Sequence, residues 1–181
     1  MENITYSFIA ACDLEGGIGK NGKMAWHIKE DMKRFRSITW ADNKTNVVIM
    51  GRNTWESIGC IPLVGRINIV VSNTLSLPSE MYVYDKDKDV YFVLSLENAL
   101  KVASSEKSNI FVIGGMRLYS EALSDTRCVN GYLTIVKNMF DCDTFFPIDM
   151  MDNYETIYDG KWQKDEKCGL EFRFINVVRV V

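Results

Sequence analysis

The sequence predicts an α/β protein: a single domain with a predominantly parallel sheet flanked by helices and an antiparallel strand at its carboxyl end. Three observations predict it. Runs rich in β-branched residues alternate with runs of helical periodicity over the first two-thirds of the chain, as in strands joined by crossover helices. The run Asn109–Ile113 is short, apolar and followed by Gly114-Gly115, as a buried parallel strand would be. The last two strand-like runs have no clear helix between them, so they are expected to pair antiparallel.

The elements follow in order. Ile4–Ala11 reads as the first strand. Ile28–Ile38 has apolar residues at 28, 32, 35 and 38, the spacing of one helical face. Asn46–Met50 is a strand leading to a short helix, Thr54–Ile58, and Arg66–Val71 is another strand. Lys86–Asp89 is a charged loop rather than a linker. Leu96–Ser104 is a helix preceded by Ser95, which with Asn98 makes a partial capping pattern. Met116–Leu123 is a helix and Gly131–Val136 a strand. Glu171–Val180 alternates, with Phe172, Phe174, Asn176, Val178 and Val180 on one face and Glu171, Arg173, Ile175, Val177 and Arg179 on the other.

Bulk properties narrow the function. A 181-residue chain that is 47% hydrophobic and 25% charged has enough apolar mass for a packed core. Its net charge of −3 argues against a nucleic-acid partner held by a basic surface. No apolar run approaches a membrane span, and the opening MENITYSFIAA reads as a strand rather than a signal peptide. The five cysteines are scattered without a CxxC pair, and the lone His27 beside Trp26 reads as a spectator. No metal site or disulfide framework is expected, and a reducing cytoplasm is the expected home.

Asp31 stands out. Advanced by about 100° per residue, the helix Ile28–Ile38 places Asp31 inside its apolar stripe, between Phe35 and Ile38. Glu30 falls on the opposite side, near Lys33, Arg34 and Ser37. A carboxylate facing a core raises its pKa or finds a partner. A raised pKa in a cleft suits a proton donor working near neutral pH.

Gly17–Gly22 (GIGKNG) matches the GxGxxG spacing, but Lys23–His27 intervene before the helix and no strand ends in an acid about 20 positions on. It reads instead as a mobile glycine-rich loop over a cleft. Two β-to-α turns suit phosphate better. Gly51-Arg52-Asn53-Thr54 and Ile113-Gly114-Gly115-Met116-Arg117 each place backbone N–H groups at a helix start beyond a strand. Taken singly, each is equally an ordinary turn. Ser72-Asn73-Thr74 could cap, turn or bind an anion, and Arg66 after Gly65 could clamp a carboxylate.

Together these segments resemble dihydrofolate reductase. The resemblance runs from about Ile4 to Pro147 and rests on ordered motifs: GIGKNGKMAWHIKEDMKRF, VIMGRNTWESI, LVGRIN, VVSN, VIGGMRLY, YLT and DTFFP. It implies a mixed eight-stranded sheet over residues 1–181, with nucleotide and pterin meeting in a cleft across it. It implies hydride transfer from NADPH to C6 of dihydrofolate with protonation at N5, a product that supplies one-carbon metabolism and thymidylate synthesis. Asp31 would hold the pterin and support N5 protonation, tied in place by Trp26, Thr134 and a water. Ile9, Ala10, Met24, Met32, Phe35, Ile58, Leu63 and Ile113 would line the ring slot, with Arg36, Tyr119 and Thr134 also on the substrate side. Arg66 would clamp the glutamate α-carboxylate.

On the cofactor side the resemblance places Ala11, Gly17, Ile18, Gly19, Lys20, Asn21, Gly22 and Lys23 beside the nicotinamide. Asn53, Thr54, Gly114, Gly115, Met116, Arg117, Leu118 and Tyr119 would cradle the pyrophosphate, with a cis bond between the two glycines. Arg52 and Ser72 would hold the 2′-phosphate, next to Asn73. Two departures stand out: Ala25 replaces the family's proline before the tryptophan, and Asn73 stands where some members carry arginine. The implied partners are dihydrofolate and antifolate-type small molecules, and a monomer is expected. A reductase of a riboflavin-pathway substrate, or a binding component of a larger assembly, would fit Asp31 and Arg66 less well.

Overall fold

The computed structural model describes residues 4–40, 42, 46–73, 82–105 and 109–180. Its strands are β1 (Tyr6–Cys12), β2 (Gly17–Gly19), β3 (Val47–Gly51), β4 (Ile67–Val71), β5 (Tyr82–Asp85), β6 (Val90–Val93), β7 (Ile110–Val112), β8 (Cys128–Val136), β9 (Thr144–Phe145), β10 (Tyr154–Asp159), β11 (Gln163–Lys164) and β12 (Glu171–Arg179). The helices among the described residues are α1 (Lys29–Thr39), α2 (Arg52–Ser57), α3 (Leu96–Ser104) and α4 (Met116–Ser124). The main sheet runs β10-β12-β8-β1-β7-β3-β4-β6-β5, with β11 against β12. From β8 to β6 every pairing is parallel, and β12 joins β8 antiparallel, as the missing crossover helix requires. Among the described residues the sheet has ten strands rather than eight: β5 extends one edge by pairing antiparallel with β6, and the two-residue β11 pairs at the other.

Side chains alternate across the sheet, and the two faces are covered differently. Phe8, Ala10, Val47, Ile49, Ile110, Val112 and Leu133 join Leu96, Leu100, Leu118 and Leu123 in one core under α3 and α4. The other face carries two separate clusters. Val48, Met50 and Val70 pack with Trp55 of α2, while Val136 and Phe172 pack with Trp26 and Ile28 ahead of α1. Between these two clusters, flanked by α1 and α2, lies the candidate cleft, since open α/β sheets bind ligands outside the carboxyl ends of their parallel strands.

Helix α1 has no local side-chain cap at Ile28. Its start is tied instead by Asp165, whose Oδ2 accepts from the Lys29 amide at 3.3 Å. Asp165 also accepts from the Cys168 and Lys167 amides, and these bonds, that of Cys168 foremost, hold its pKa well below the usual carboxylate range. In contrast, α3 is capped as its sequence suggests, with Ser95 Oγ accepting from the Asn98 amide at 3.1 Å.

Candidate active site

Asp31 lies on the cleft side of α1 and is 8% exposed. Of α1's described residues only Asp31 and Thr39 are buried, whereas Met32, on the predicted apolar stripe, is 44% exposed. The helix therefore buries its acid and presents an apolar side chain to open space, the reverse of what burial energetics favours unless something binds there. Thr134 of β8 donates its hydroxyl to Asp31 Oδ1 at 2.7 Å. Burial raises the Asp31 pKa, and the Thr134 hydrogen bond and the Arg34 charge pull it partly back. Trp26 is buried against Phe140, ring centroids 5.1 Å apart, with an indole N–H that meets no acceptor among the described residues.

The cleft floor is made by side chains that face away from the α3/α4 core. Ala11 pairs in register with Thr134, and Ile113 packs with Ile58 and Leu63 against the Trp55 cluster. Tyr119 is buried and donates its hydroxyl to the Ile9 carbonyl at 2.8 Å, and burial pushes its pKa up. Phe35 is half-buried, and Met24 is 49% exposed at the mouth. Four expected site residues contribute differently from the expectation. Ala10, Leu118, Tyr119 and Ile18 turn their side chains into or against the α3/α4 core.

Arg66 is 9% exposed and has no carboxylate partner among the described residues. Its Nε and one terminal nitrogen donate to the Val64 carbonyl at 3.2 and 3.1 Å, and the other terminal nitrogen donates to Thr39 Oγ1 at 3.0 Å. Burial, with the nearby Arg36 charge, lowers its pKa. The three bonds fix the guanidinium plane and leave one N–H on each terminal nitrogen for a bidentate anion. Arg36 itself is exposed and stacks over Trp40 at 5.7 Å.

At the other end of the cleft the two β-to-α turns touch. The Gly51 amide donates to the Gly114 carbonyl at 2.8 Å, and the Gly114–Gly115 peptide is cis. A Cβ at Gly114 would lie 3.2 Å from the Tyr119 hydroxyl and 3.4 Å from Thr54 Oγ1, at a φ of +122° that side chains rarely adopt. Gly51 and Gly115 are the N-caps of α2 and α4, and neither helix start has a side-chain cap. The first amides of α4 therefore remain available to an anion.

Arg52 pairs with Glu56 at 2.7 Å, Asn53 is exposed, and Ser72 is buried at the end of β4. With its amide turned to satisfy both ends, Asn73 donates to the Leu94 carbonyl and accepts from Arg117 at 2.8 and 2.5 Å. Arg117 is also paired with Glu121 at 3.2 Å, and Met116 is half-exposed. Thr74 lies outside the described residues.

The glycine-rich segment is knitted down rather than loose. Gly17 and Gly19 form β2 against β9, and Lys20 and Lys23 close a turn through Asn21 and Gly22, both at positive φ. Asp143 accepts from the Asn21 amide at 2.8 Å, and Lys20 pairs with Asp141. Beneath them Asp13 is 1% exposed and accepts from the Glu15, Gly17 and Phe140 amides at 3.0, 2.7 and 2.9 Å. Sequence reading missed Asp13, Arg34 and Asp165, each of which ties its own segment to a distant one: Asp13 to the Phe140 amide, Arg34 to the Leu133 carbonyl and Asp165 to the Lys29 amide. Asp143 sits in the DTFFP motif, the one signal that pointed to it.

The family model for dihydrofolate reductase matches residues 5–179. The chain is 38% identical over 176 residues to dihydrofolate reductase of Drosophila melanogaster, covering 92% of each. It is 31% identical over 173 residues to the bifunctional dihydrofolate reductase-thymidylate synthase of Paramecium tetraurelia, covering 96% of this chain and 35% of that protein. An Arabidopsis thaliana protein of the same bifunctional kind is 34% identical over 186 residues, of which this chain covers 34%. The chain thus spans about a third of the bifunctional relatives and most of the Drosophila one.

Proposed function

This chain belongs to the dihydrofolate reductase family, and from that premise we propose that it reduces dihydrofolate to tetrahydrofolate with NADPH, with Asp31 supporting protonation of N5. The observation that carries the reading is the buried Asp31–Thr134 pair, an acid held in a largely apolar cleft. The fit to a dinucleotide rests on the two glycine-capped helix starts, whose Cβ-free surface brings backbone amides, Thr54 and Asn53 to one place. Arg52, Ser72 and the Arg117–Asn73 pair stand at that end for an added phosphate. When bound there, the cofactor supplies the hydride.

The protein's share is alignment and one proton. Desolvation keeps the Asp31 proton at higher pH than in water, and Thr134 fixes the carboxyl's orientation. Ile9, Ile113, Phe35 and Met32 give an apolar slot for a flat ring, and Arg66 stands ready for a carboxylate on its far end. Knitting of residues 17–23 to 140–145 holds a cover over the cleft that limits water access. Residues 1–181 are then one catalytic domain, acting on a soluble small molecule in the cytoplasm as a monomer, with antifolates as competitors.

The test is loss of reduced-nicotinamide absorbance on mixing the protein, NADPH and dihydrofolate. Turnover supports the reading. Correctly folded protein that binds NADPH without turnover would reject it in favour of a binding component.

A further inference from the structure

The periodicity of α1 places Arg34 among solvated charges beside Glu30, but the structure puts it elsewhere. Glu30 pairs with Lys33 at 3.6 Å on the outer face. Arg34 instead reaches inward, half-buried, across the seam where β8 meets β12. One terminal nitrogen donates to the Leu133 carbonyl at 3.1 Å. The other donates to Asn176 Oδ1 at 2.5 Å and to the Ile175 carbonyl at 3.5 Å. The guanidinium lies 4.5 Å from the Phe174 ring centre and 6.0 Å from that of Tyr132. Each of these polar partners is neutral, so they fix the guanidinium without cancelling its charge.

The position matters because of its neighbours. Leu133 and Ile175 are paired across the seam, and Leu133 immediately precedes Thr134, the donor to Asp31. Arg34 follows Asp31 by three residues on α1, and its inward reach brings its charge to act on that carboxyl. We propose that Arg34 is a positioning residue for the acid: it pins α1 to the seam so that Asp31 meets Thr134, and it sets a permanent positive charge behind the carboxyl.

The rest of the described surroundings does not supply that charge. Apart from Arg34, the titratable groups among the described residues that face this corner are the phenols of Tyr119 from α4, Tyr132 from β8 and Tyr158 from β10. The α2 side contributes Ile58 and Leu63, which are apolar. The mutual attraction of Arg34 and Asp31 therefore opposes the effect of burial on Asp31. An arginine suits the role because its fork can bond two strands at once and keeps its charge when partly buried.

The inference rests on the proposed reaction only in its kinetic readout, so the experiment has two arms. In unliganded protein, the Asp31 carboxyl is titrated by carbon NMR, its signal assigned by loss in Asp31→Asn. Arg34→Met is expected to raise the titration midpoint by on the order of one pH unit. Arg34→Lys, which keeps charge but not the fork, is expected to stay near the parent midpoint while melting lower. In the kinetic arm, the alkaline limb of turnover moves upward in Arg34→Met and much less in Arg34→Lys. If Arg34→Met does not fold, Arg34→Gln, which keeps a donor for the Leu133 carbonyl, is expected to show the same rise. An unmoved midpoint in the neutral variant, or equal movement in the charged one, overturns the proposal. Absence of turnover in the parent rejects the reaction alone, because the titration arm still reads the residue.

Discussion

Replacing Asp31 by Asn should make the protein more stable at neutral pH. Burial raises the folded-state pKa of Asp31 above its value in the unfolded chain. Folding therefore favours the protonated form, and the stability it contributes is fully present below the unfolded pKa. That contribution is lost as pH rises through the folded pKa, so at neutral pH the ionised carboxylate is a net load. Asn removes the charge and keeps an oxygen to accept from Thr134, whose bond to Asp31 is 2.7 Å. Relief of such functional strain is commonly worth about 0.5–2 kcal/mol. For a chain of 181 residues, 1 kcal/mol corresponds to roughly 2–4 °C in Tm. Asp31→Asn is thus expected to melt about 1–8 °C higher than the parent at neutral pH. The advantage should shrink as pH falls, and the assay is thermal unfolding of both proteins across pH. Glu30→Gln, on the exposed side of the same turn, is the control and should shift little. A lower Tm for Asp31→Asn at neutral pH, or a gain independent of pH, would refute the reasoning.

Other outcomes follow from the same geometry. Arg66→Leu should raise the KM for dihydrofolate roughly 10- to 100-fold, the loss of a charge-assisted clamp, with kcat nearly unchanged. Steady-state kinetics with dihydrofolate and with a pterin lacking the glutamate would separate that from misfolding, since only the former should suffer. Arg52→Ala should narrow the preference for NADPH over NADH, and an unaltered ratio of kcat/KM would remove Arg52 from the phosphate end. Asp13→Ala strands three backbone amides that the carboxylate now accepts. It should cost about 3 kcal/mol or more, read as a lower midpoint in urea unfolding.

How much was legible in advance depends on where each residue's partners lie. Asp31 could be found because helical spacing alone separates it from Glu30. The same spacing put Met32 in a core, yet Met32 borders open space, since periodicity cannot tell a core from a cleft. Arg34 was misplaced because its acceptors, Leu133, Ile175 and Asn176, are about a hundred residues or more away. Strand β10 left no trace because five of its six residues are exposed and nothing alternates. Strand β12, with Phe172 and Val177 buried on opposite faces, showed its pattern plainly. The two glycine turns were visible as motifs, but their contact through Gly51 and Gly114 belongs to the sheet order, which brings β3 beside β7. The strand count among the described residues departed from the eight implied by the resemblance because β5 and the two-residue β11 lie at the sheet's margins.

The central claim is that Asp31 supports the proton that dihydrofolate must gain. The most direct measurement is turnover of Asp31→Asn against the parent, with saturating NADPH and dihydrofolate, from neutral to acidic pH. At neutral pH the variant should lose most of its turnover while still binding NADPH. As pH falls and protonated dihydrofolate accumulates, the deficit should shrink steadily. Turnover equal to the parent's at neutral pH, or a deficit that stays constant across pH, would contradict the claim.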